Sequence, residues 1–258
     1  MTDPKPFAAE PFTGRTALVT GAASGIGAAC ARWLDARGVA ELILVDTDAA
    51  GLDALDLDCT VRPIIGSVAD PALWETLEAG WDGVDHAVVN AGIGGSGLMS
   101  ELSFQAWRRV MDVNLDGAFL TLATALRGFG KRGGGSAVVV ASSTGIKPIP
   151  GIGPYGVAKA GVAHMARIAA AENAGANIRV NAVAPGGVDT AIWDGSPEFR
   201  AAVAAKGRQT ALKAMAASTP LGTFATPDLI AGEIGFLLSD DAANITGHVL
   251  VGDGGFTL

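Results

Sequence analysis

From Arg15 onward, short runs rich in β-branched residues or leucine alternate with longer Ala-rich stretches whose apolar positions recur at helical spacing. The short runs lack polar alternation, the pattern of strands buried on both faces, and the longer stretches have the pattern of crossover helices. Strands are predicted at 16–20, 41–46, 60–65, 86–90, 137–142, 178–184 and 248–251. Helices are predicted at 26–37, 49–55, 71–79, 103–127, 155–174, 196–216 and 227–238. Such alternation predicts right-handed βαβ units around a parallel sheet, hence an α/β fold. One domain is expected over 14–258, after a short extension at 1–13. Gly133, Gly134 and Gly135 read as a turn between a helix and a strand, not as a linker. The longest strand-free stretch, 186–226, leaves the carboxyl end of the sheet, where such folds bind ligands, and 187–225 is expected to cover a substrate crevice.

Composition narrows the function classes. With 258 residues, 49% of them hydrophobic and 17% charged, the chain can bury a large core. A net charge of −8 with 18 scattered cations excludes a nucleic-acid partner, which needs a dense basic face. Cys30 and Cys59 are isolated, and His86, His164 and His248 lack ligand spacing, so no disulfide framework or metal site is expected. The first residues lack the apolar core of a secretory signal, and no apolar run is long enough for a membrane span, which predicts a cytoplasmic protein. Serine hydrolysis lacks its G-x-S-x-G signature.

Candidate chemistry lies at the carboxyl ends of the predicted strands. Gly21, Ser24, Gly25, Ile26 and Gly27 join the first strand to the first helix, where glycines permit a tight turn and close approach to a pyrophosphate. An ordinary Gly-rich turn is the alternative. Asp46 ends the second strand, placed either to accept from an adenosine ribose or to cap the next helix. Its charge repels a 2′-phosphate, and Ser24 and Thr47 offer no cation, so NAD is favoured over NADP. Asn90, Ala91 and Gly92 end the fourth strand and leave room for an adenosine half. Pro185 and Gly186 end the sixth, with Val188 and Thr190 beyond them toward the nicotinamide half. Ser142 closes the fifth strand, and thirteen residues later stands Tyr155, the only tyrosine, four residues before Lys159. A phenol and an ammonium at i and i+4 share a helix face, so the cation is expected to lower the phenol pKa and make Tyr155 an acid/base. An incidental surface pair is the alternative, as is an ST-turn for Ser142.

Together, Thr20 to Gly27, Asn90-Ala91-Gly92, Asn114, Ser142, Tyr155 with Lys159, Pro185-Gly186 and the tail from Ile245 to Gly255 resemble the short-chain dehydrogenase/reductase family. The resemblance implies a doubly wound Rossmann fold, a seven-stranded parallel sheet in the order 3-2-1-4-5-6-7 with helices on both faces. It implies Tyr155 as general acid/base, Lys159 on the nicotinamide ribose, Ser142 on the substrate oxygen and Asn114 ordering a water. It also implies a homotetramer, with a dimer as the alternative. Ser67 and Val68 stand where the family often has an adenine-side aspartate, and Val89 replaces the first asparagine of its N-N-A-G. The stretches 93–99, 147–152 and 189–225 are expected to line an apolar substrate cavity, with Gly94, Ser143, Ile149 and Trp193 facing a cyclic or aromatic secondary alcohol or ketone. Lys147 and Arg200 are the cations available to a substrate carboxylate. A silent NAD-sensing protein and a dehydratase or epimerase are the competing functions.

Overall fold

The structure, a computed structural model, describes residues 11–258, so the first ten residues of the predicted extension lie outside it. Seven strands, β1 (Thr16–Thr20), β2 (Glu41–Asp46), β3 (Thr60–Ile65), β4 (His86–Val89), β5 (Gly135–Val140), β6 (Ile178–Pro185) and β7 (Val249–Gly252), form one parallel sheet. Their order is β3-β2-β1-β4-β5-β6-β7. Chain order reverses between β1 and β4, and the carboxyl ends flanking that switch point frame the ligand crevice of an open α/β sheet.

The helices are α1 (Gly25–Asp35), α2 (Ala49–Asp53), α3 (Pro71–Ala79), α4 (Phe104–Met111), α5 (Gly117–Arg132), α6 (Gly153–Asn173), α7 (Pro197–Lys206), α8 (Arg208–Ala216) and α9 (Pro227–Leu238). On one sheet face Trp74, Leu122, Phe129 and Val162 of α3, α5 and α6 pack on Leu18, Val139 and Val180. On the other, Leu34 of α1, Leu52 of α2 and Ile230 and Ile234 of α9 pack on Leu42, Leu44, Val138 and Val183. Burial on both faces explains why the strands read as unbroken apolar runs.

The structure departs from the predicted helices in two places that bear on function. The helix expected at 103–127 is interrupted by a π-helical turn, Asp112–Asp116, between α4 and α5. Inside that turn the Asn114 Nδ2 donates to the Val110 carbonyl at 3.0 Å, so a side chain takes the acceptor four residues back. Such competition with the backbone ladder is a recognised cause of local rewinding. The helix expected at 196–216 is two helices, because Gly207 at φ +81° stands between α7 and α8, a conformation open chiefly to glycine. Elsewhere the shifts are small: α6 starts two residues earlier than predicted, with Pro154 in its first turn, so Tyr155 lies at the start of an established helix.

At the opposite, amino-terminal edge of the sheet, His86 is buried with its Nδ1 2.8 Å from Ser136 Oγ. The Ser136 hydroxyl donates to the Leu238 carbonyl, so His86 Nδ1 is the donor in that pair and Nε2 carries the lone pair, for which no partner exists among the described residues. Burial holds His86 down at about 4, below the ordinary imidazole value of 6.5. The unfolded chain therefore takes up a proton first as pH falls below 6.5, and stability is lost progressively down to about pH 4. Urea unfolding is expected to show about 2–3 kcal/mol less stability at pH 4.5 than at pH 7 in excess of the same difference in His86→Leu. Equal pH dependence in the two proteins would refute this.

Among the described residues no helix is long and apolar enough to cross a membrane, and no group of three His, Cys, Asp or Glu side chains could hold a metal ion.

Candidate active site

The turn between β1 and α1 is shaped for close approach. Gly21 has φ +64°, and a Cβ on Gly27 would stand 2.0 Å from the Gly21 carbonyl oxygen, so neither position tolerates a side chain without moving the turn. No side chain caps the start of α1, which leaves its first N–H groups directed into the crevice for an anionic ligand. The Asn90 amide braces the turn from β4, donating to the Thr20 carbonyl at 2.9 Å and the Gly21 carbonyl at 3.2 Å. Thr20 Oγ1 in turn accepts from the backbone N–H groups of Asn90 and Ala91. Thr20 opens the motif read from the sequence, but its bracing role, two backbone N–H groups held by one hydroxyl, has no sequence signal.

Asp46 accepts from the Ala23 N–H at 2.9 Å and the Asp48 N–H at 3.0 Å, which ties the end of β2 to the glycine turn. The α2 cap belongs to Asp48, whose carboxylate accepts from Gly51, so the capping alternative for Asp46 falls away. At the end of β3, Ser67 Oγ accepts from Ala69, and the Val68 carbonyl accepts from the Trp74 indole while its side chain packs beside Gly117. These residues accordingly fit a dinucleotide: a tight glycine turn, an uncapped helix start and a carboxylate one strand away.

The acid/base candidates converge next to this turn. Ser142 lies just past β5, and its Oγ accepts from the Thr144 N–H at 3.2 Å and lies 3.0 Å from the Thr144 hydroxyl. Ser142 is the side chain that acts on the Tyr155 phenol, drawing its pKa down, whereas Ser143 is buried against the following turn. Lys159, only 4% exposed, donates from Nζ to the Val140 carbonyl at 2.6 Å and lies 5.7 Å from the Tyr155 ring centroid. A Cβ built on Gly92 would stand 2.6 Å from Asn114 Oδ1 and 3.5 Å from Lys159 Nζ, so the ends of β4, the π-helical turn and α6 meet at one point. Asn114, 1% exposed, is locked there by bonds to the Ile93 N–H and the Ile93 and Val110 carbonyls.

The electrostatics correct one sequence expectation. Burial pushes the Tyr155 phenol above its ordinary value of 10, with the Ser142 hydrogen bond pulling the other way. Burial also brings the Lys159 ammonium down to about 8. Sharing a helix face does not by itself give an activated phenolate here, because desolvation raises the phenol while the buried ammonium is engaged by the Val140 carbonyl. In this state Tyr155 keeps its proton.

The cover meets the site along β6. Gly186 abuts Asp253, whose carboxylate accepts from Gly255 and Thr257 and so docks the C-terminal turn on the Pro185-Gly186 corner. Val188 is buried and bridges to Ala225, and Thr190 reaches toward Gly25. Trp193 stacks on Phe224 at 5.6 Å between centroids and donates its indole N–H to the Val188 carbonyl, so it belongs to a small core within the cover with Phe199 and Leu212. Gly94 lies beside Ile192, and Ile149 is half-buried in the stretch between Ser142 and Tyr155. Lys147 donates to the Phe256 carbonyl at 2.7 Å and Arg200 to the Asp194 carbonyl at 2.7 Å.

This is the architecture of a Rossmann-type α/β protein with an acid/base cluster at the carboxyl edge of its sheet. A family profile described as Enoyl-(Acyl carrier protein) reductase matches residues 21–257. The cis-4-hydroxycyclohexanecarboxylate dehydrogenase of Sinomonas cyclohexanicum is 41% identical over 258 residues, 96% of this chain and 98% of that protein. The 3-oxoacyl-(acyl-carrier-protein) reductase of Thermotoga maritima is 37% identical over 254 residues, 95% and 98% of the two chains. The crystal structure of levodione reductase superposes with a TM-score of 0.87 at 31% identity, covering 95% of this chain and 98% of that one. The chain belongs to the short-chain dehydrogenase/reductase family, an oxidoreductase family whose members bind a nicotinamide cofactor, NAD or NADP.

Proposed function

We propose that the protein is an NAD-dependent dehydrogenase that interconverts an apolar, cyclic or aromatic secondary alcohol and its ketone. The observation that carries this reading is the placement of Ser142 and Tyr155 beside the buried Lys159, next to a turn whose Gly21 and Gly27 have no room for side chains of their own. When bound, a nicotinamide ring supplies the hydride acceptor for oxidation or the donor for reduction. Tyr155 gives its proton to the forming alkoxide in reduction and takes it back in oxidation. Ser142 holds the substrate oxygen through its hydroxyl. Lys159 binds the nicotinamide ribose and brings positive charge to the phenol, and Asn114 fixes a water behind Lys159 for proton exchange with solvent. Asp46 favours NAD by accepting from ribose hydroxyls and repelling a 2′-phosphate.

The apolar rim of Ile146, Ile192, Leu98 and Met99, each substantially exposed, suits a substrate ring. Lys147 and Arg200 are both held on carbonyls of the chain, so an uncharged ring is favoured over one bearing a carboxylate. Exposed Phe119, Val157 and Ile168 on α5 and α6 suit a homotetramer in the cytoplasm.

Purified protein mixed with NAD and a panel of cyclohexanols, aromatic secondary alcohols and cis-4-hydroxycyclohexanecarboxylate is expected to generate NADH absorbance. Turnover should be fastest with uncharged rings and at least about tenfold slower with NADP. Because burial holds the proton on Tyr155, oxidation, which needs the phenolate, should accelerate as pH rises from 7 toward 9, whereas reduction, which needs the phenol, should stay nearly flat. A catalytically silent sensor would bind NAD and produce no NADH with any alcohol. A dehydratase or epimerase would convert substrate without net cofactor reduction. Either result would displace this reading.

A further inference from the structure

The loop between β6 and α7 is fastened by one side chain that no motif points to. Arg208, the first residue of α8, reaches back to the loop, and its Nε donates to Asp189 Oδ1 at 2.9 Å. Its Nη2 lies 2.8 Å from the same oxygen and donates to the Thr190 carbonyl at 2.8 Å. Its Nη1 donates to Asp194 Oδ1 at 2.8 Å, and the guanidinium lies over the Phe199 ring at 5.3 Å. A planar fork spreads five N–H donors over three nitrogens and so reaches three separated acceptors on one short segment, whereas the three donors of an ammonium all sit on one nitrogen.

The fastened residues stand opposite the glycine turn. Thr190 Cγ2 lies 3.2 Å from the place a Cβ would take on Gly25, and a cavity of about 390 Å³ opens between them, lined by Gly25, Arg32, Thr190, Asp194 and Arg208. Two carboxylates, Asp189 and Asp194, thus border a cavity whose other wall is the anion-seeking start of α1. Unpaired, they would repel a pyrophosphate at a distance where screening is incomplete. Arg208 offsets part of this charge, pairing one oxygen of each carboxylate on its fork.

We propose that Arg208 is a positioning residue for dinucleotide binding: it clamps 189–194 onto the cover so that Val188 and Thr190 face the cofactor, and it shields the cofactor phosphates from Asp189 and Asp194. This rests on the reading of the Gly21 to Gly27 turn as a dinucleotide site. Arg208 touches no reacting atom, so its loss acts on cofactor affinity far more than on the chemical step.

The test uses the whole protein, with NADH as the probe. Arg208→Gln is expected to raise the NADH Kd and the KM for NAD by about tenfold or more, with kcat reduced less than about threefold. Arg208→Lys should recover only part of the affinity, because its one nitrogen cannot reach all three of the acceptors held by Nε, Nη1 and Nη2. Hydrogen exchange of the amides in 188–195 should speed up in the Gln variant. Should Arg208→Gln fold poorly, Asp194→Asn releases one arm of the clamp and is expected to speed the same amides. The wild-type Kd reports on the dinucleotide reading, and the ratio of variant to wild type reports on the clamp. A wild-type protein that bound no NADH would overturn both. Normal wild-type binding with a ratio below about two, and unchanged loop exchange, would overturn the clamp alone.

Discussion

Lys159→Met is expected to abolish most activity while leaving the protein as stable as the parent, or more so. Lys159 is buried, with its ammonium brought down to about 8, so keeping that charge inside the fold at pH 7 costs on the order of 3 kcal/mol. The hydrogen bond to Val140 that the variant gives up is worth about 1.5–3 kcal/mol, so the two effects roughly cancel or favour methionine. Activity should fall by about 10²–10⁴, the span ordinarily carried by a positioned acid/base system. The sign of the pH dependence is a second mark. Between pH 8 and pH 10.5 the unfolded lysine keeps its proton and the folded one releases it, so the parent gains stability as pH rises through that window. Lys159→Met should lack that gain. Chemical unfolding at pH 7 and pH 9.5 checks both, and a loss of more than about 2 kcal/mol at pH 7 would show that Lys159 supports the fold.

A cation that burial makes costly and that is nonetheless built into the interior is what a site for chemistry looks like. The same tension runs through the neighbouring groups: Asn114 interrupts its helix, and the glycine turn gives up side chains that would otherwise pack.

Most of the fold was legible because the buried strands announce themselves as apolar runs. The bounds of β1, β2, β3 and α9 agree with those expected from the pattern alone, and the strand order follows the family resemblance. The misreadings have local physical causes. The π-helical turn arises from one amide competing for the Val110 carbonyl, which periodicity cannot report. The break at Gly207 depends on a positive φ, and a lone glycine within a helical pattern is compatible with either outcome. The residue types at the site were visible as Gly21, Asp46, Ser142, Tyr155 and Lys159, but the electrostatics were not. The i, i+4 spacing of Tyr155 and Lys159 pointed to a lowered phenol, and only burial together with the Val140 carbonyl reverses that direction. Arg208 was invisible for a related reason: its partners, Asp189 and Asp194, lie nineteen and fourteen residues away, and no local spacing encodes the clasp.

The account turns on whether the Tyr155 hydroxyl carries the proton that accompanies hydride transfer. Tyr155→Phe removes one oxygen from the only tyrosine of the chain and keeps the ring, so its cost to stability is expected to be at most about 1 kcal/mol. The direct measurement is NADH formation by Tyr155→Phe on the best alcohol of the panel, alongside NADH binding to the same preparation. The account predicts binding that persists and turnover reduced by about 10³ or more. Turnover within about tenfold of the parent, with binding intact, would contradict it.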